Sequence, residues 1–106
     1  TLGENIGDLG GISIALRAYQ MSLNGGASPM LDGFTGEQRV FLGFAQVWAG
    51  KYRDEALKSQ INTDPHSPAQ FRANGAVRNV PEFYTAFDVK PTDALYLPEE
   101  ERVKIW

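Results

Sequence analysis

Apolar residues recur at alternating three- and four-residue steps near the start of this 106-residue chain. That spacing places them on one face of an α-helix, whereas a half-buried strand would show a two-residue alternation. We therefore predict a first helix over residues 3–23. Gly10 and Gly11 fall inside it, and either a close approach of another segment or a simple kink would account for them. The predicted buried stripe comprises Ile6, Leu9, Ile12, Leu16, Tyr19 and Leu23.

Short sequence patterns that mark helix N-termini predict the helices that follow. Thr35 and Gln38 form a capping-box pattern, which indicates a second helix with an apolar stripe from Phe41 to Tyr52. A shorter third helix over residues 54–62 ends before a proline, because the residue preceding proline is disfavoured in the helical region.

Two prolines mark the remaining helix starts. Ser67 as a cap with Pro68 in the first turn predicts a fourth helix, and Pro81 opens a fifth. Residues 91–106 are mostly irregular, and no segment is convincing as a strand. The sequence therefore predicts one all-α unit of about five helices over residues 1–106.

The composition of the chain disfavours some classes of partner and excludes a self-contained Cys/His metal site. A net charge of -3 offers no basic surface, so nucleic acid and anionic lipid are not expected partners. Cysteine is absent and His66 is the single histidine, so a complete Cys/His metal site cannot be built. Any catalytic metal would need ligands from outside these residues. Thr1 stands directly before the helical pattern, and we expect a fragment of a longer protein.

Glu4 and Asp8 are four residues apart and project from one face of the first predicted helix. One carboxylate can complete a zinc site while its neighbour orients a zinc-bound histidine. Acidic residues are also favoured in the first turn of any helix by its macrodipole, so the spacing alone leaves both interpretations open.

His66 precedes the fourth predicted helix on a turn flanked by prolines. Its imidazole could stabilise an oxyanion, with Asp64 orienting it and Arg72 holding a carbonyl or carboxylate, although a lone histidine is more often a surface group. Val47 and Trp48 could line an apolar substrate pocket, or belong to an ordinary core stripe.

Three motifs resemble those of the neprilysin-like zinc metallopeptidases. Residues 3–11, GENIGDLGG, are similar to the family signature G-E-N-I-A-D-x-G-G and depart from it at Gly7. Residues 41–53 and residues 64–72 are similar to two further family blocks in the same order, and residues 102–106 look like the family's C-terminal end. The resemblance implies the C-terminal portion of a larger, mostly helical catalytic domain.

The resemblance also implies a zinc-dependent endopeptidase acting on peptides. Glu4 would be the third zinc ligand and Asp8 the partner of a zinc-bound histidine. The two histidine ligands and the general base would come from an H-E-x-x-H helix upstream in the same polypeptide, so the isolated fragment is expected to hold no zinc and to be inactive.

Substrate-binding roles follow from the same resemblance. His66 would stabilise the tetrahedral oxyanion beside Asp64, and Arg72 would bind a substrate carbonyl or carboxylate. Val47 and Trp48 would help to form the pocket for the residue after the scissile bond.

Other expectations concern the parent protein. Ala49 and Val103 stand where vertebrate relatives usually have cysteines, which favours a bacterial parent, exported to the periplasm or cell surface. A non-catalytic helical interaction module, or a decayed peptidase relative, is the alternative function. The exposed face of the first helix is expected to make the fragment dimerise or swap elements.

Overall fold

The computed structural model describes residues 2–49, 53–63 and 69–105 and is all-helical, as predicted. Within those ranges, β pairing is limited to one isolated bridge between Leu31 and Phe34. A short 3-10 helix, Glu99–Glu101, lies in the otherwise irregular tail. The described ranges contain five α-helices, α1 (Leu2–Ser22), α2 (Gly36–Val47), α3 (Asp54–Thr63), α4 (Ala69–Val77) and α5 (Pro81–Phe87).

The buried face of α1 agrees with the middle of the predicted stripe, whereas Tyr19 is only half-buried and Leu23, also half-buried, lies just beyond the end of the helix. Leu9, Ile12 and Leu16 are buried, whereas Ile6 remains 42% exposed. Ile6 lies one turn before the core begins and borders a groove with Phe71 of α4. Its side chain is only partly covered by α4, with which it lines that groove.

The predicted capping box begins α2. The Thr35 hydroxyl accepts a hydrogen bond from the Gln38 N–H at 3.2 Å, and the Thr35 N–H donates to Gln38 Oε1 at 2.9 Å. Gln38 Nε2 also donates to the carbonyl of Ala86 at 2.7 Å, which ties the start of α2 to the end of α5. The helix ends at Val47, and the predicted stripe position Tyr52 lies outside the described residues.

A glycine permits α2 to approach α1. Gly36 is buried, and a Cβ at this position would overlap the Tyr19 ring and the Ser28 hydroxyl. Ser28 Oγ accepts from the Gly36 N–H at 2.8 Å and lies 2.8 Å from the Tyr19 hydroxyl. The small residue therefore fixes the contact between the C-terminal half of α1 and the start of α2.

The last three helices follow the predicted order. α3 extends one residue beyond the predicted end, and α4 is described from Ala69 because Ser67 and Pro68 lie outside the described residues. Pro81 opens α5 in its first turn, as predicted, and Asp88 ends it in the left-handed conformation.

One hydrophobic core joins α1, α2 and the α4–α5 region. Phe41 of α2 meets Phe83 and Phe87 of α5 edge-on at 5.7 and 6.2 Å between ring centroids. Buried residues of α1 pack against these rings. The core consists of Leu9, Ile12, Leu16, Phe41, Val77, Val80 and Phe83.

The chain is less compact than an independent domain of its length. Its radius of gyration is 15.1 Å, whereas about 13 Å is typical for 100 residues. In the described part, ten large hydrophobic side chains are exposed, among them Ile14, Met21 and Val47. No described helix combines the length and apolar character needed to cross a bilayer.

Candidate functional site

The start of α1, the end of α2 and the start of α4 gather five of the seven predicted site residues. Glu4 and Asp8 come from α1, Val47 and Trp48 from the end of α2, and Arg72 from α4. The other two predicted residues, Asp64 and His66, lie outside the described residues, so their roles stay predictions.

Arg72 and Asp8 form a bidentate ion pair between α4 and α1. Arg72 Nε donates to Asp8 Oδ2 at 2.6 Å, and Arg72 Nη2 donates to Asp8 Oδ1 at 2.7 Å. Their side chains are only 11% and 12% exposed. This geometry fixes both groups, because the planar guanidinium matches the carboxylate in a single orientation.

Glu4 lies on the outer side of this pair. Its carboxylate oxygen Oε2 is 3.7 Å from Arg72 Nη2, and its side chain is 50% exposed. The Glu4 carboxylate lies one turn from the Asp8 carboxylate, at the solvent-facing edge of the cluster. Glu4 therefore faces outward from the cluster, while Asp8 is held within it.

Trp48 supports the other side of Arg72. The guanidinium carbon lies 4.1 Å from the centroid of the Trp48 ring, a cation–π contact. Phe44 meets the same tryptophan edge-on at 6.3 Å. The buried indole N–H finds no acceptor among the described residues, so Trp48 contacts the cluster through its ring face.

Val47 is 74% exposed and borders a groove between α1 and α2. The groove has a volume of about 480 Å³ and also includes Asp8, Phe44 and Gly11 in its lining. The Val47 side chain is therefore exposed and not part of the core. The interpretation of Val47 as a core residue is excluded by this exposure.

The ion pair raises the pKa of Arg72 above its ordinary value. The hydrogen bond to Asp8 is the main cause, burial opposes it, and the negative charges of Asp8 and Glu4 reinforce it. The guanidinium therefore stays protonated at every working pH.

The described residues can supply part of a metal site. No group of three potential His, Cys, Asp or Glu ligands comes together in the described ranges. Glu4 nevertheless fits a single ligand position, because it is an exposed carboxylate with a second, fixed carboxylate one turn away. Glu4 could therefore supply one ligand of a metal site, and the other ligands would have to come from other residues.

The sequence did not predict two of these contacts. Asp8 and Arg72 are 64 positions apart, and only the packing of α1 against α4 brings them together. The stacking of Trp48 on Arg72 likewise depends on how the end of α2 packs against α4. Opposite charges on two predicted helices are too common to have indicated the pair.

Comparison with known proteins identifies the class and then the family. Human neprilysin is 42% identical over 109 residues, which cover 100% of this chain and 14% of that protein. The neutral endopeptidase of Lactobacillus helveticus is 38% identical over 105 residues, covering 99% of this chain and 14% of that protein. The chain thus spans about one seventh of the length of these relatives.

A solved structure has the same fold. The Mycobacterium tuberculosis zinc metalloprotease ZMP1, in complex with an inhibitor, is 60% identical with a TM-score of 0.95. The match covers 98% of this chain and 16% of that one. These similarities define a segment of a neprilysin-like metallopeptidase. The model of peptidase family M13 matches residues 1–103, and the chain belongs to that family.

Proposed function

We propose that this chain is the C-terminal part of the catalytic domain of a zinc-dependent metalloendopeptidase that hydrolyses peptides. The observation that carries the proposal is the cluster in which the Asp8 carboxylate is fixed by Arg72 beside the half-exposed Glu4. Family membership supports a peptidase parent. Zinc, when bound, polarises the scissile carbonyl and activates water.

In this proposal Glu4 donates one carboxylate oxygen to the metal, and Asp8 accepts the ring N–H of a histidine ligand. Arg72 uses one lone pair on each Asp8 oxygen, which leaves the others for an imidazole. Asp8 would hold Arg72 and the histidine together, and so couple the metal site to the substrate site.

Arg72 would bind a substrate carbonyl or carboxylate while Trp48 supports its guanidinium from one side. Val47, exposed on the adjacent groove, would contact the side chain after the scissile bond together with Trp48. His66 would neutralise the negative oxygen that develops on the attacked carbonyl, with Asp64 orienting the ring. Histidine ligands and the general base would come from the same polypeptide outside these 106 residues.

The isolated chain is expected to bind no stoichiometric zinc and to cleave no peptide, because one carboxylate ligand is insufficient. A bacterial parent exported to the periplasm or surface stays part of the proposal. A non-catalytic helical interaction module is the alternative, and the absence of an H-E-x-x-H segment from the parent would favour it.

The test uses the full-length context, meaning the parent polypeptide or a chimera in which this chain replaces the matching segment of ZMP1. We expect His66→Gln to lower kcat for a quenched fluorescent peptide by about 100-fold or more, as loss of an oxyanion donor does. Zinc content should be unchanged. Glu82→Gln, at an exposed α5 position, is the control. Full activity of His66→Gln, or no activity in any full-length context, would contradict the proposal.

A further inference from the structure

The turn that follows α1 contains an asparagine directly before a glycine. Asn24, Gly25 and Gly26 are all exposed, and Asn24 has a φ of 50°, in the left-handed region that non-glycine residues seldom adopt. The Asn24 N–H donates to the Met21 carbonyl at 3.2 Å, and the Gly26 N–H donates to the Leu23 carbonyl at 2.8 Å. The Gly25 N–H between them donates to no group in the described part of the chain. Its nitrogen is therefore open to reaction.

This backbone nitrogen can react with the side chain that precedes it. A bond between the Gly25 nitrogen and Asn24 Cγ closes a succinimide ring, which requires the backbone to rotate until the two atoms meet. Gly25 has a φ of 79° and no side chain to obstruct that rotation. An exposed turn opposes the motion less than a helix or a core segment does.

A second Asn-Gly pair in the same chain provides an internal comparison. Asn74 and Gly75 lie inside α4, and Asn74 is exposed, as Asn24 is. In an α-helix each interior N–H donates to the carbonyl four residues earlier, so the Gly75 nitrogen is already engaged. The Gly75 carbonyl also accepts a hydrogen bond from Asn79 Nδ2 at 2.8 Å. The two pairs share their sequence and exposure and differ in how firmly the backbone is held.

The turn also determines how α1 contacts α2. The Tyr19 hydroxyl lies 2.8 Å from Ser28 Oγ, which accepts a hydrogen bond from the Gly36 N–H at 2.8 Å. Asn24 lies between Tyr19 and Ser28 in the chain, so the length of the turn decides whether Ser28 reaches both groups. The last turn of α1 contains no basic residue. A negative charge at position 24 would therefore face the negative end of the helix dipole without compensation.

We propose that Asn24 is a site of spontaneous deamidation, and that its conversion weakens the contact between the end of α1 and the start of α2. The Gly25 nitrogen loses its proton and forms a bond to Asn24 Cγ, and the side-chain nitrogen leaves as ammonia. Bulk water then adds to either carbonyl carbon of the succinimide and opens the ring. The product is aspartate, or isoaspartate with an additional methylene in the main chain. No atom changes its oxidation state.

Both products alter the turn in the same direction. Each adds a carboxylate beside the C-terminal end of α1, and isoaspartate also lengthens the path from Tyr19 to Ser28. The reaction requires neither zinc nor peptidase activity. It is therefore independent of the proposed function, and its test keeps its meaning if that function fails.

The first experiment follows both Asn-Gly pairs in the full-length context during incubation in warm, mildly alkaline buffer. Trypsin separates the pairs into peptides with one asparagine each, residues 18–39 and residues 73–78. Mass spectrometry of the two peptides measures both rates, with a digest at time zero as the background. We expect Asn24 to be converted faster than Asn74 by about tenfold or more, because α4 must open locally before its glycine nitrogen is free.

The same incubation in denaturant is the control, since neither pair then has a fixed backbone. The two rates should converge there. An equally large difference that persisted in denaturant would assign the selectivity to local sequence and overturn the inference. Equal rates in the folded protein, or a faster rate at Asn74, would also overturn it.

The second experiment measures the contact between α1 and α2 by hydrogen exchange at the Gly36 N–H. Incubated full-length protein should exchange this hydrogen faster than fresh protein by about tenfold, because Ser28 is no longer held in place. Asn24→Gly retains a residue suited to the left-handed conformation but lacks the reacting side chain, so incubation should leave its exchange unchanged. Unchanged exchange in protein whose Asn24 is largely converted, or equally faster exchange in incubated Asn24→Gly, would overturn the assigned consequence.

Discussion

At the residue scale, the ion pair between Arg72 and Asp8 is the best-defined part of the candidate site. Its carboxylate borders open grooves on both sides of α1, so solvent screens the pair more than it would a core pair. The raised pKa of Arg72 means that its contribution to stability is present below the unfolded pKa and lost only as pH rises through the folded value, far above neutrality.

We expect Asp8→Asn to destabilise the chain by about 2 kcal/mol, because one guanidinium loses a charged acceptor. A double-mutant cycle with Arg72→Met should give a coupling of about 1–2 kcal/mol that is constant between about pH 6 and pH 9. Denaturant unfolding measures both. The exposed pair of Lys90 and Asp88 is the control, and its cycle should show no measurable coupling. Equal coupling energies in the two cycles would show that the Asp8–Arg72 pair is no stronger than an exposed ion pair, which would contradict this prediction.

Sequence motifs predicted the residues of the candidate site but not their contacts. Glu4 and Asp8 were predicted to share a face because their spacing is local. The partner of Asp8 was not predicted, because an ion pair across 64 positions depends on how α1 and α4 pack. The roles of Asp64 and His66 stay predictions, since both residues lie outside the described ranges.

At the element scale, Gln38 has two functions at the start of α2. Its side-chain oxygen completes the capping box, and its amide nitrogen donates to the carbonyl of Ala86 near the end of α5. That carbonyl belongs to the last turn of α5, where carbonyls lack helical partners. A single side chain thus satisfies groups on two helices.

Gln38→Glu separates these functions. Glutamate still completes a capping box, but it cannot donate to Ala86. We expect a loss of about 1–2 kcal/mol in the free energy of unfolding, measured by denaturant titration, because a partly buried carbonyl loses its donor and faces a negative charge. Glu37→Gln, at the neighbouring position, controls for a charge change in the first turn. A Gln38→Glu variant as stable as the unmodified chain would show that the link to α5 contributes nothing.

Helix starts were the most predictable feature of the fold, whereas α2 ends at Val47, before the predicted stripe position Tyr52. The Thr35 cap and Pro81 carry their signals within a few residues, and both helices begin where predicted. The exposure of Ile6 was not predictable, because it depends on whether another segment covers that end of α1. Periodicity indicates which face of a helix is apolar, but not where its packing partners stop.

At the scale of the whole molecule, stability depends on a small aromatic core. Phe41 is 3% exposed and contacts two further rings. We expect Phe41→Ala to reduce the free energy of unfolding by about 3–5 kcal/mol, a large share of the total stability of a chain this size. Thermal unfolding followed by circular dichroism should show a strongly lowered midpoint. Phe71→Ala is the matched control, since Phe71 is 62% exposed. A cooperative transition for Phe41→Ala at the original midpoint would contradict this assignment of the core.

The proposed function gives one explanation for both the exposed apolar surface and the single candidate metal ligand. α1 is covered on one side by the described core, and its other side carries the Glu4 carboxylate and the exposed side chains of Ile14 and Met21. In the proposed function, groups from outside these residues would complete both features, and the chain would form one wall of an active site.

The central claim is that Glu4 supplies a metal ligand in the full-length context, and zinc stoichiometry tests it most directly. Elemental analysis after dialysis against a weak chelator should give about one zinc per chain for the unmodified protein and for Glu82→Gln. For Glu4→Gln it should give far less, because a neutral amide is a poor replacement for a charged oxygen ligand. Full retention of zinc by a folded Glu4→Gln protein would contradict the account.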